Sequence, residues 1–140
     1  MRMSRKASLK TLRLKTWKTC SLYARQLYAD HRGMVACYTC DKVGHWKEMD
    51  AGHAIDGRHN AVLFDMEIIR PQCDACNRYK HGNHKIFTYK LIKEHSLEWW
   101  EQKLAASRLS VKFTRDDYEN MALEFKSETA RIKKEAGYVG

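Results

Sequence analysis

Two Cys-x-x-Cys pairs, Cys37-Tyr-Thr-Cys40 and Cys73-Asp-Ala-Cys76, stand 32 residues apart in a chain of 140. Each pair can present two thiolates from one tight turn, and two such turns complete a tetrahedral zinc shell with S–Zn bonds of about 2.3 Å. A shell closed by four thiolates has no open position for water. The spacing therefore predicts a structural zinc that contributes folding free energy, with any chemistry carried elsewhere. A redox role for a Cys-x-x-Cys pair needs a βαβ context, which the surrounding pattern lacks. The fifth cysteine, Cys20, falls on the apolar stripe of a helical segment and reads as a buried small hydrophobe.

The length suits one ordinary domain, so the expectation is a single domain over 1–140. The 26 Lys and Arg outnumber the 17 Asp and Glu by nine, and the pI of about 9.4 makes a polyanion, nucleic acid first, the natural partner. No apolar run approaches the roughly 20 residues that cross a bilayer. The opening MRMSRKASLKTLRLK has no apolar h-region or small-residue cleavage site. These features predict a soluble, unexported, cytoplasmic chain whose cysteines stay reduced and available to metal.

Trp17, Cys20, Ala24, Leu27 and Tyr28 recur at helical spacing and predict an amphipathic helix over 8–31, stopped by His31-Arg32-Gly33. Lys10, Arg13, Lys15 and Lys18 form its solvated face. Between Val35 and Gly82 the helical period disappears and glycines, histidines, aromatics and the four paired cysteines crowd together, giving an expected core over 35–83. Within it Val62-Leu63-Phe64 and Ile68-Ile69 read as short strands, with Pro71 closing the second. The region 84–140 turns helical again through Phe87, Leu91 and Ile92, then Leu97, Trp100 and Leu104, then Tyr118, Met121, Ala122, Phe125 and Ile132. Thr114 followed by Asp117 suits the N-cap of the last helix, and Trp99 and Trp100 read as core or interface residues.

The strings CYTC, WKEMDAGH and PQCDACNRYKHGN, with a tryptophan-bearing helix upstream, are similar over roughly residues 16 to 95 to the phage NinG or Rap family of recombination endonucleases. More broadly they resemble the zinc-containing HNH, or ββα-metal, nucleases. The resemblance implies an α+β fold in which a small zinc-stapled ββα-metal core is flanked by N-terminal and C-terminal α-helices. It also implies a metal-dependent endonuclease acting on branched DNA such as Holliday junctions and D-loops, in a bacterial host's cytoplasm.

Phosphodiester hydrolysis requires a base for water, and a neutral histidine suits it; the motif DAGH makes His53 that base. A Mg²⁺ or Mn²⁺ held by oxygen ligands would stabilise the departing oxygen. Asn77, directly after the second pair, matches the helix-borne metal ligand of such enzymes, and the motif favours Asn83 as a further site residue.

Many relatives carry an acidic residue or histidine directly before the base, where this chain has Gly52, so Asp50 is the substitute ligand. Residues 50 and 53 of a regular strand face opposite ways, so Asp50 joins His53 only if Gly52 permits a bulge. The middle Asn of the HNH pattern falls at Ile68, and Asn60 or Asp65 are the candidates for tying that loop. Arg58, Arg70, Arg78, Lys80 and His81 flank the motif as candidate DNA contacts. Symmetric junction cutting would favour a homodimer, with the flanking apolar helices as interfaces. The competing function is a non-catalytic zinc-ribbon module that binds DNA or a recombination partner, with DAGH bracing the hairpin.

Overall fold

The computed structural model describes residues 6–136; the ends of the expected 1–140 domain lie outside them. The first helix, α1 (Leu9–Leu27), begins where Ser8 Oγ accepts the Thr11 N–H at 3.1 Å. It ends earlier than the expected residue 31, because the Asp30 carboxylate accepts the N–H groups of Arg32 and Met34, each at 2.9 Å, and turns the chain. Gly33, at φ +77, completes that turn in a conformation that favours glycine.

Strands β1 (Met34–Ala36) and β2 (Val43–His45) pair antiparallel, and the loop joining them carries Cys37 and Cys40. A 3₁₀ turn, Trp46–Glu48, leads into β3 (Asp50–His53), which pairs antiparallel with β4 (Ile69–Gln72). Between these strands the chain forms α2 (Asn60–Leu63) and a 3₁₀ turn, Met66–Ile68. After β4 come the second cysteine pair, a single π-helical turn Ala75–Tyr79, then α3 (His84–Glu94), α4 (Leu97–Ser107) and α5 (Arg115–Ala136). The molecule is a mixed α and β fold whose described strands form two small two-stranded sheets. No described helix is long and apolar enough to cross a membrane.

Three sequence expectations are corrected here. Val62-Leu63-Phe64 is not a strand: Val62 and Leu63 end the helical turn α2 and Phe64 caps it, with Val62 and Leu63 both buried. A buried apolar triplet carries no period that separates strand from helix. Pro71 does not close its strand but sits within β4 opposite Ala51. The ladder from Asp50↔Gln72 to His53↔Ile69 is regular, with no bulge at Gly52.

Three apolar clusters hold these pieces together. Val35, Trp46 and Met49 surround the cysteines. Ala54, Val62, Ile68, Phe87, Leu91 and Trp100 join the β3–β4 connection to α3 and α4. Cys20, Ala24, Ala51 and Ile69 seat α1 on the β3–β4 sheet, with Trp17 and Phe125 packed against them. Side chains as fully enclosed as Phe87 and Leu91 each stabilise the fold by roughly 1.5–3 kcal/mol. Helix α5 packs on α1, where Thr16 Oγ1 donates to the Tyr118 carbonyl at 3.0 Å and Tyr23 meets Phe125. Its start is a reciprocal cap: the Asp117 N–H donates to Thr114 Oγ1 at 3.1 Å and the Thr114 N–H to the Asp117 carboxylate at 2.8 Å.

Candidate functional site

The sulfurs of Cys37, Cys40, Cys73 and Cys76 all lie within 4.8 Å of one another, Cys40 and Cys73 at 3.6 Å. Thiolates on a tetrahedral zinc with bonds of about 2.3 Å are about 3.8 Å apart, so the cluster could hold that ion. Burial opposes ionisation of Cys37, but hydrogen bonds from Thr39 and from the backbone of Cys73, Thr39 and Cys40 outweigh it and bring its pKa to about 6. Cys20 stands apart: burial pushes its thiol up to about 12, as befits an inert packing residue.

The cluster is wired to the rest of the molecule by polar side chains. The Thr39 hydroxyl is 3.5 Å from Cys37 Sγ. Fully buried Gln72 donates through Nε2 to Thr39 Oγ1 at 3.1 Å and to the Gly82 carbonyl at 2.8 Å. Asn83 Nδ2 donates to Cys76 Sγ at 3.7 Å.

On the other side of Gly82 lies a polar pocket lined by His53, Asp56, Arg58, Asn77, His81 and His84, among others. His53 ends β3, and its Nε2 is 3.0 Å from the Leu63 carbonyl. A carbonyl only accepts, so Nε2 carries the hydrogen and Nδ1 the lone pair. The Trp17 indole packs 5.0 Å from the imidazole, centroid to centroid. Burial lowers the His53 pKa below 6.5, with the Leu63 hydrogen bond opposing, and this favours the neutral ring. Asn60 ties the loop that supplies Leu63: it accepts from Arg13 Nε at 2.9 Å and donates to the Val111 carbonyl at 3.0 Å.

His84 adds a second arrangement. Its Nδ1 faces the Ala54 carbonyl at 2.9 Å and its Nε2 faces Asp56 Oδ1 at 2.9 Å. With Nδ1 donating, the neutral ring aims a lone pair at a carboxylate oxygen, which is favourable only with a proton or a metal cation between the two atoms. The 2.9 Å separation accommodates an ion pair of protonated His84 with Asp56 or a cation held between the two atoms.

Asp50 lies in a neighbouring groove. Its carboxylate accepts from Asn77 Nδ2 at 3.1 Å and is 3.5 Å from Arg78 Nε. Asn77 lines both cavities, and holding its amide nitrogen leaves the carbonyl oxygen for another partner. The sequence-derived pair Asp50 and Asn77 is thus in contact, while Asp50 and His53 line different cavities because β3 runs regularly.

The remaining candidates divide by surroundings. Arg58 and His81 line the His53 pocket, Arg58 lying 4.8 Å from the Trp17 ring centroid. Arg78 is half engaged, with Asp74 at 3.0 Å as well as Asp50. Lys80 is exposed at the end of the π-helical turn.

Two candidates depart from expectation. Arg70 is buried between the rings of Tyr28 and Tyr38, donates to the carbonyls of Met66, Glu67 and Ile69 and pairs with Glu94. It serves the fold and is not free for DNA. Asn83 turns to the cysteine cluster and does not line the His53 pocket. Sequence reasoning missed Trp17, Asp56 and His84 as site residues; the short spacing from His53 to Asp56 and the histidine directly after Asn83 were the available signals.

Fold and site together define a small α and β protein in which four cysteines able to hold zinc brace a histidine-lined polar pocket. The chain belongs to the bacteriophage lambda NinG protein family, whose model matches residues 2–135. That family is a phage family linked to recombination. No curated protein and no solved structure shows a significant match.

Proposed function

We propose that this chain is an HNH-type, ββα-metal endonuclease that hydrolyses phosphodiester bonds in branched recombination intermediates such as Holliday junctions and D-loops. The observation that carries the reading is His53, held at Nε2 by the Leu63 carbonyl and at its ring face by Trp17, with Nδ1 unprotonated beside a polar pocket. Such a ring takes a proton from water at Nδ1 and, being partly buried, is neutral at the pH where it must act.

Asp56 and His84 would hold a Mg²⁺ or Mn²⁺ in this pocket, with the Asn77 side-chain oxygen beside them. When bound, the ion stabilises negative charge on the departing oxygen. Asp50 then acts by orienting Asn77. Its contact with Asn77 also supports a second reading, in which Asp50 and Asn77 are the ligands. Arg58, His81 and Arg78 border these cavities and would hold phosphates beside the cut. The zinc cluster serves as a brace, and symmetric cutting of a four-way junction would call for two copies.

The test is incubation of purified protein with matched linear, flap, D-loop and four-way DNA, with and without Mg²⁺ or Mn²⁺. Branched DNA should be cut in the presence of metal, and His53→Ala should bind it without cutting. Binding without cleavage by the native chain would favour the zinc-ribbon module instead.

A further inference from the structure

The groove beyond Asp50 has a use that His53 chemistry does not require. It has a volume of about 430 Å³, and its wall includes Arg25 from α1, Lys47 from the 3₁₀ turn, Arg58 and Arg78, facing the carboxylate of Asp50. Arg78 is paired with Asp50 and Asp74. Among the described residues, Arg25, Lys47 and Arg58 have no carboxylate within 4.0 Å.

All three lie against aromatic rings. The Arg25 guanidinium lies 5.4 Å and the Lys47 ammonium 5.7 Å from the centroid of buried Trp46, and Arg58 lies 4.8 Å from that of Trp17. Arg25 is held further by hydrogen bonds to the carbonyls of Ser21 at 3.1 Å and Trp46 at 3.4 Å. Cations oriented in this way around a polar cavity, short of counter-charge, lose less side-chain freedom when an anion binds, Arg25 least of all because it is also hydrogen-bonded.

The groove and the His53 pocket share Ala51, Arg58 and Asn77 as a common wall. A ligand that occupies both must be extended and must repeat its negative charge, which describes a nucleic-acid strand and not a single phosphate.

We propose that the groove between α1 and β3 binds the phosphodiester backbone of DNA flanking the segment presented to His53, with Arg25, Lys47 and Arg58 as its contacts. This rests on the nuclease reading of the His53 pocket and adds a separate anchoring site to it.

The experiment is a binding titration of fluorescently labelled four-way junction DNA from 50 to 200 mM KCl, without divalent metal, alongside a cleavage assay. The native chain is compared with Lys47→Gln and with Arg25→Gln/Lys47→Gln, each checked for zinc content and circular dichroism. Each lost phosphate contact should make the plot of log affinity against log salt shallower by about one. Lys47 is exposed, and among the described residues its side chain makes no hydrogen bond; its backbone N–H donates to His45 Nδ1 at 3.1 Å, which Lys47→Gln retains, so this variant reads the groove even if the double variant misfolds. An unchanged slope in a folded Lys47→Gln protein overturns the proposal, and if cleavage persists the nuclease reading stands. A shallower slope in Lys47→Gln, together with a native protein that never cuts, supports the groove and removes the nuclease. Displacement of the DNA by millimolar inorganic phosphate at matched ionic strength overturns the proposal in favour of a small-anion site.

Discussion

The side-chain amide of Gln72 fills the space that a β-carbon on Gly52 would occupy. Gly52 lies opposite Arg70 in a regular ladder and has ordinary backbone geometry, so it is required for room and not for a bulge. Gly52→Ala forces Gln72 from its bonds with Thr39 and Gly82. A loss of about 1–3 kcal/mol is expected, typical of overpacking. Gln72→Ala also destabilises, but the double variant should be less destabilised than the sum of the two, and strict additivity in thermal melts would contradict the interlock.

Trp17 acts through His53. Trp17→Ala removes the ring packed on the imidazole, an aromatic contact of about 0.5–1.5 kcal/mol, and should lower kcat with a smaller effect on DNA affinity. Trp17→Phe should restore much of the rate. If both variants lose affinity and rate in proportion, Trp17 is only a DNA contact.

The acid limb of the cleavage rate should lie below pH 6.5, because burial lowers the His53 pKa. Trp17→Ala, which opens the ring to water, should move that limb upward. Stability follows the same sign. Above 6.5 the ring is neutral in both folded and unfolded chains and contributes no pH dependence. As pH falls through 6.5 the unfolded chain takes up the proton first, so stability declines. Chemical denaturation of native protein and His53→Ala across pH 5 to 8 isolates this contribution.

Removing zinc should affect the neighbouring pocket as well as the fold, because Asn77 directly follows Cys76 and lines that pocket. Serine at any one of Cys37, Cys40, Cys73 or Cys76 should release the ion, whose apparent binding free energy in small zinc domains is of order 10 kcal/mol; Cys20→Ser should not. Asn83→Ala should weaken zinc retention against a chelator, since Asn83 donates to Cys76. Loss of cleavage with unaltered zinc retention would return Asn83 to the catalytic group.

The two candidate ligand sets are separable by substitution. Asp56→Asn should raise the Mg²⁺ concentration needed for half-maximal cleavage by about tenfold or more, as for loss of one charged ligand worth about 1.4 kcal/mol. Asp50→Asn should chiefly disturb Asn77 and Arg78, lowering rate at saturating metal. The reverse pattern would make Asp50 the ligand.

What the sequence reveals follows the range of the interaction. The cysteine pairs, the reciprocal cap of Thr114 and Asp117 and the apolar stripe of α1 are local patterns, and each is legible. His53 stands out in the sequence through the motif DAGH, whereas its contacts with Trp17 and Leu63 come from the fold. Arg70 sits beside the motif in sequence, but its surroundings are set by Tyr28 and Tyr38, more than thirty residues away, which no local pattern shows. His84 was overlooked because its meaning depends on Asp56, which the fold brings within hydrogen-bonding distance.

The packing of α5 on α1 also sets an order of assembly. The contact between Cys40 and Cys73 spans a sequence separation of 33, whereas the bond from Thr16 to Tyr118 spans 102. Longer closures cost more entropy and form later. The brace is therefore available early, while the helix carrying Trp17 and Arg25 gains its outer support only when α5 arrives. Under the proposed function, a chain growing on a ribosome would be able to capture zinc before its DNA-binding groove was complete, and damage to α5 would be expected to weaken DNA binding without emptying the metal centre.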